Sequence, residues 1–322
     1  MIKKKRVIFV NVKNNLIKEF IISFILSLIL GSIGFYITNI FLLLYSIPSI
    51  ILGVKYGMKY SIINIFLSSI LFFLLLGNYT LPFSIVFIGM TIIIVNSIDR
   101  NEEISHRILK TTAYIFIVII LFMILSKKVF NYDIIDNLIK TNSNLFDNSL
   151  EELKNMGIKY SKEQIEELNS IKPLLIDFFR NSIFSILLLG SLIISLVSNS
   201  LTNFIIRRKN IKILSPMKFS EFKVSIKFFI ASIIILIFTY IIGKINPSIY
   251  KVLISNITII FYFIIFIQGL SVMIYILEKF NIPKIVRYII IFLSLFSLIL
   301  GMIVFFIGMI DIIFNFRKIK GN

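Results

Sequence analysis

Apolar residues in this chain come in long unbroken runs, not at alternate positions or in a single helical stripe. Residues 20–38 and 183–206 contain no Lys, Arg, Asp or Glu. About 20 apolar residues wound as a helix cross a roughly 30 Å hydrocarbon core. Comparable runs occupy 20–38, 40–54, 62–76, 81–98, 109–125, 183–206, 224–242, 252–277 and 286–313. The pattern predicts an all-α, polytopic membrane bundle of eight or nine membrane segments. Run 40–54 is short and contains Pro48, yet it must cross if the charged loops are to alternate in side. Run 286–313 would be about 42 Å long as a helix. It reads as one tilted span, or as a helix broken near Gly301 whose end returns to the side it left.

One long polar interruption, residues 127–180, separates the fifth and sixth runs. Asn148 and Glu151 have the spacing of a helix N-cap and its third residue, and Leu150, Leu153 and Met156 follow at helical spacing before Gly157. Ser161 and Gln164 repeat the capping spacing, and Ile165, Leu168 and Ile171 form a stripe ending before Pro173. Capping boxes and apolar stripes of this kind predict two amphipathic helices, which either lie on the membrane surface or lid a cavity. The expected organisation is a six-helix membrane bundle over 1–206 including this segment, a basic loop at 207–227, and C-terminal membrane helices over 228–322.

Charge sharpens this reading. The net charge is +18, but residues 127–180 hold nine of the 16 acids and eight of the 34 bases. Elsewhere 26 bases face 7 acids, mostly in short loops. Lys55 and Lys59, then Arg100, Arg107 and Lys110, then the stretch from Arg207 to Lys223, then Lys279, Lys284 and Arg287 fall on one side if the spans alternate. That is the positive-inside pattern. It predicts a cytoplasmic N-terminus, an external 127–180 segment and contact with anionic lipid, and no nucleic-acid partner is expected. The first run is too long for a signal-peptide core and lacks a small-residue cleavage site, so it is expected to remain as a span.

Candidate chemistry is sparse. The chain has no Cys and one His, which excludes thiolate sites and a His-rich metal centre. His106 near Glu102 and Glu103 reads as a solvated turn. There is no phosphate loop, HExxH or GxSxG, so no cofactor, metal or catalytic residue is assigned and the chain is not expected to be an enzyme. Asp311 is the one carboxylate embedded in an apolar run, and Arg317 and Lys318 stand ready to neutralise it. Asn64, Asn199, Asn203, Asn256 and Gln268 read as amides that bind neighbouring helices. Ser23, Ser27 and Gly31 form a small-residue stripe for docking another helix, of this chain or of another protein. Asn78, Tyr79 and Thr80 lie at an outward turn and are candidates for an external pocket.

Several motifs carry a family resemblance. Gln268-Gly269-Leu, Pro283-Lys284, and the closing stretch that contains Gly308, Asp311 and Arg317 resemble the YybS-like family of bacterial membrane proteins. That family implies a multi-pass protein of the bacterial plasma membrane, without an assigned activity. Pro48 followed by Gly53-Val-Lys-Tyr-Gly57 is similar to the S components of energy-coupling-factor transporters, six-helix substrate binders. That resemblance implies a small-molecule ligand and partners in the form of a membrane coupling subunit and ATPases. Ser23, Ser27 and Gly31 would then face the coupling subunit. The expectation is a small-molecule binding or transport subunit that draws energy from partners. The alternative is a non-transport scaffold or regulator of envelope or membrane-associated machinery.

Overall fold

The computed structural model describes residues 12–77, 80–156, 162–209, 211, 214 and 218–318. Helices account for the architecture, and no strand occurs among the described residues. The helices are α1 (Val12–Tyr36), α2 (Ile47–Tyr56), α3 (Met58–Leu76), α4 (Leu81–Asp99), α5 (Ile104–Phe130), α6 (Ile134–Asn155), α7 (Lys162–Arg208), α8 (Ile226–Ile245), α9 (Pro247–Lys279), α10 (Lys284–Phe296) and α11 (Leu298–Phe314). Among the described residues eight segments are long and apolar enough to cross a membrane, or nine if the bent pair α10–α11 is one span. Apolar side chains such as Ile21, Leu74, Ile117 and Phe238 point outward, as expected where lipid tails replace water as the solvent.

Contacts divide the chain into two compact units. The first is Met1–Tyr132 with Leu187–Pro216, and the second is Asp133–Ile186 with Met217–Asn322. Segment 127–180, grouped by sequence with the first six runs, therefore lies mostly in the second unit. Asn256 explains why: its side chain accepts from the Ser185 amide at 2.7 Å and donates to the Asn181 carbonyl at 2.6 Å, tying the start of the sixth run to α9.

In the first unit the short second run is a 3₁₀ turn, Asn39–Leu44, followed by α2. Pro48 sits in the first turn of α2, where its missing N–H leaves no helical bond unmade. Gly57 joins α2 to α3 with φ +109°, a conformation that disfavours any Cβ. Gly53 lies against Ser61 and Val95, where a Cβ would fall 2.6 Å from the Ser61 Cβ.

The polar segment differs from its expected form. α6 starts at Ile134, with Asp133 Oδ1 accepting from the amides of Ile135 and Asp136, so Asn148 lies inside the helix and caps nothing. Gly157 and Ser161 fall outside the described residues. Pro173 does not end the second helix: α7 is continuous from Lys162 to Arg208 with Pro173 inside. One interior proline costs about 3 kcal/mol, and a ladder of this length on both sides outweighs it. Two ion pairs join α6 to α7, Asp147 with Lys172 at 2.7 Å and Asp136 with Arg180 at 3.2 Å.

The last apolar run is broken, at Ser297 instead of Gly301, and α10 and α11 meet at 103°. Ser297 caps α11 by accepting from the Leu300 amide. Partners advance together along α9 and α11: Tyr262 stacks on Phe305 with centroids 4.9 Å apart, Gln268 meets Asp311, and Ser271 meets Arg317. The two helices are therefore parallel. α10 starts beside the same end of α9, where Arg287 pairs with Glu278 at 2.8 Å. The pair leaves from and returns to one end of α9, which makes it a re-entrant hairpin.

Candidate functional site

The motif residues of the C-terminal unit converge where α9 crosses α11. Gly269 faces the Val304 carbonyl, and a Cβ there would lie 1.8 Å from its oxygen. A Cβ on Gly308 would likewise overlap the Ile265 carbonyl oxygen and lie 2.6 Å from the Gly269 nitrogen. Only glycine allows the backbones this close. The approach brings together Gln268, Asp311 and Arg317, all buried.

Their hydrogen bonds form one network. Asp311 Oδ2 accepts from Gln268 Nε2 at 2.6 Å and from Arg317 Nη2 at 2.9 Å. Arg317 Nη1 also donates to the Ser220 carbonyl at 2.6 Å and to Ser271 Oγ at 2.7 Å, and Nη2 donates to the Phe222 carbonyl at 2.8 Å. Gln268 Oε1 accepts from the Val224 amide at 2.8 Å. The guanidinium thus staples the 3₁₀ turn Phe219–Glu221 to both helices. A buried ion pair needs such surrounding bonds to offset desolvation. The arrangement is a structural clamp: its ionisable groups face each other and not an opening.

Pro283 has a different place. It is the N-cap of α10 and offers no side-chain cap bond, so the first amides of that helix lack a side-chain acceptor. Beside it lies a cavity of about 280 Å³ lined by Lys218, Ser220, Glu278, Lys284, Arg287 and Tyr288, among others. This volume is close to the lower end of the roughly 300–1,000 Å³ typical of ligand sites.

The first unit is organised by neutral groups. Asn64 Oδ1 accepts from Ser49 Oγ at 2.7 Å and from Ser23 Oγ at 3.4 Å, while Nδ2 donates to the Phe20 carbonyl at 3.1 Å. Ser27 lies 3.5 Å from Ser49, and a Cβ on Gly31 would fall 2.4 Å from the Phe72 ring. The stripe Ser23, Ser27 and Gly31 is therefore filled by α2 and α3 of the same unit, which leaves it closed to another protein. Small residues pack helices wherever a facing side chain fits, and here the chain itself supplies it.

Thr80 is buried and donates to the Gly77 carbonyl at 2.9 Å. It lines a cavity with Phe35, Tyr45, Phe72, Phe83 and Phe87 whose volume is only about 10 Å³, about enough for one water. Asn78 and Tyr79 lie outside the described residues. His106 is exposed and Glu102 pairs with Lys110 at 2.7 Å; among the described residues no group of three potential metal ligands comes together. The Glu102 carboxyl is held below its usual range by Lys110 and by a bond to Ser97.

One buried charge was not foreseen. Arg107 stands in the first turn of α5 and is 2% exposed. Its Nη2 donates to Asn203 Oδ1 at 2.6 Å, while Nε is buried without a partner. Extending the α5 wheel one turn before the apolar run places Arg107 on the face of Thr111 and Ile115, both buried, and that periodicity was the available signal.

The family described as Predicted membrane protein (DUF2232) matches residues 20–312. The chain belongs to that family. The matched region contains the α9–α11 crossing and ends one residue after Asp311, so the DUF2232 assignment leaves out residues 1–19 at the start and, at the end, the Arg317 side of the clamp. No curated protein and no solved structure matches the chain.

Proposed function

We propose that this DUF2232 protein is a non-transporting, non-catalytic membrane protein that organises envelope or membrane-associated machinery. Its expected setting is a bacterial plasma membrane with the N-terminus on the cytoplasmic side, and the closing motif favours a YybS-like member of the family. The observation that carries this reading is the filled aromatic core of the N-terminal unit, whose larger spaces of about 260–420 Å³ are open grooves lined mainly by apolar side chains. Its aromatic cavity of about 10 Å³ is far below the roughly 300 Å³ that a small-molecule site needs. The absence of a catalytic role is supported by the clamp, where Asp311 and Arg317 are used on each other.

A second reading is a small-molecule binding or transport subunit that depends on a coupling subunit and ATPases. It is favoured by the position of the aromatic cavity under Thr80 at the end of the unit opposite Lys55 and Arg107, where an opening movement would create a pocket. Affinity purification of the full chain from its own membrane in mild detergent, followed by mass spectrometry, separates the two. Envelope or regulatory proteins without ATPases are the expected result. Recovery of an ATPase pair with a membrane coupling subunit would overturn the organiser reading.

A further inference from the structure

The cavity at the start of α10 is not part of the clamp, and its chemistry is specific. Three bases, Lys218, Lys284 and Arg287, face one acid, Glu278. Neither Lys218 nor Lys284 has an ion-pair partner among the described residues. Glu278 takes Arg287 Nη1 at 2.8 Å, and Arg287 Nε is buried with no acceptor. The cavity therefore has an excess of positive charge, a guanidinium on its wall whose carboxylate partner is Glu278 and, from the first turn of α10, backbone amides that Pro283 does not cap. Each of these features favours an anion with several acceptor oxygens.

The surroundings narrow the class. Tyr288 lines the cavity and is 68% exposed, and Ile289 and Phe292 continue an exposed apolar face along α10 away from the bases. A cavity that mixes three bases with Phe219, Ile274 and Ile291 and opens onto an apolar helix face matches a membrane–water boundary, where tyrosine rings and basic side chains gather. The opposite wall is anchored to the clamp: Ser220 lines the cavity and its carbonyl accepts from Arg317 Nη1.

We propose that this cavity is a phosphate-binding site at the membrane surface, taking either the phosphodiester of an anionic lipid headgroup or a phosphate group from the water. Arg287 supplies the directed bond, and Lys218 and Lys284 supply the charge. The site is independent of whether the protein organises partners or transports a ligand.

The test uses the full chain reconstituted in nanodiscs of phosphatidylcholine with and without phosphatidylglycerol, then released for native mass spectrometry. Each base near a membrane surface changes anionic-lipid affinity about fivefold, so K284Q/R287Q should lower phosphatidylglycerol retention by tenfold or more. K284R, which keeps the charge, should retain it, and E278Q, which frees Arg287, should raise it. K244Q/K251Q, which removes two bases where α8 meets the start of α9, at the other end of α9, is the control for unspecific surface charge and should lower retention clearly less than K284Q/R287Q. Titration with inorganic phosphate distinguishes the sources. Displacement of phosphatidylglycerol means that the site takes phosphate from the water as well as from lipid. Retention unaffected by inorganic phosphate but lost in K284Q/R287Q assigns the lipid headgroup. Equal retention in the wild type and in a K284Q/R287Q protein with unchanged thermal midpoint, together with no effect of inorganic phosphate, overturns the proposal.

Discussion

The two units solve the same problem with different chemistry. The N-terminal unit holds its helices with neutral groups: Asn64 gathers α1, α2 and α3, Tyr45 bonds Ser68 at 3.0 Å, and Ser195 donates to the Ile108 carbonyl at 2.9 Å. The C-terminal unit places a carboxylate and a guanidinium at its crossing, both side chains at most 1% exposed. Neutral bonds between membrane helices are each worth about 0.6–2 kcal/mol, so the first unit spreads its stability over many small contributions. The second concentrates it in one network, where losing either charge strands the other. Arg107 qualifies the contrast, because it is buried in the first unit with an amide as its partner.

The largest expected effect tests that concentration. Arg317→Met leaves Asp311 buried and unpaired, and should destabilise the protein by about 3–5 kcal/mol, while the double change with Asp311→Leu should recover most of it. Thermal unfolding in detergent, read as a double-mutant cycle, measures the difference. Arg107→Met removes a charge whose carboxylate neighbour, Glu102, stays partly exposed to solvent and paired with Lys110, and should cost clearly less than Arg317→Met; an equal cost would erase the distinction between the units. Next comes Gly269→Ala. Its Cβ would overlap the Val304 carbonyl oxygen, so α9 and α11 must separate, at a cost of about 1–3 kcal/mol or more. Gly190→Ala, which meets nothing within 4 Å, is the comparison that should stay near wild type. The smallest effect is Asn64→Leu, which removes three bonds of the neutral hub at once. It should cost about 1–3 kcal/mol, less than the loss of the single Arg317 side chain.

Hydropathy made the spans legible because lipid imposes one rule on every outward residue, whatever the neighbours are. It marked the last run as long for one crossing and left a tilted span and a broken, returning helix both open; the structure breaks it at Ser297. The motifs that carry the family resemblance singled out Gln268, Gly269, Gly308, Asp311 and Arg317, which meet at the α9–α11 crossing. The stripe Ser23, Ser27 and Gly31 was equally visible, but its spacing shows only that something packs there. Whether that is Phe72 or another protein depends on how helices distant in sequence are arranged. Pro173 was read as a stop because local rules weigh one residue against its own turn. In the structure the hydrogen-bond ladder on both sides carries it.

Hydropathy and charge were enough to establish a helical membrane protein with eight or nine segments able to cross and most charges in the loops, since those follow from the free energy of placing each residue in hydrocarbon. Tertiary structure alone decided which polar residues are buried together. It turned Asp311 and Arg317 into a clamp, filled the aromatic cavity under Thr80, and set Lys218 opposite Lys284 and Arg287 around an open space. Those outcomes depend on pairwise geometry between residues far apart in the chain, and composition, periodicity and spacing contain no record of it.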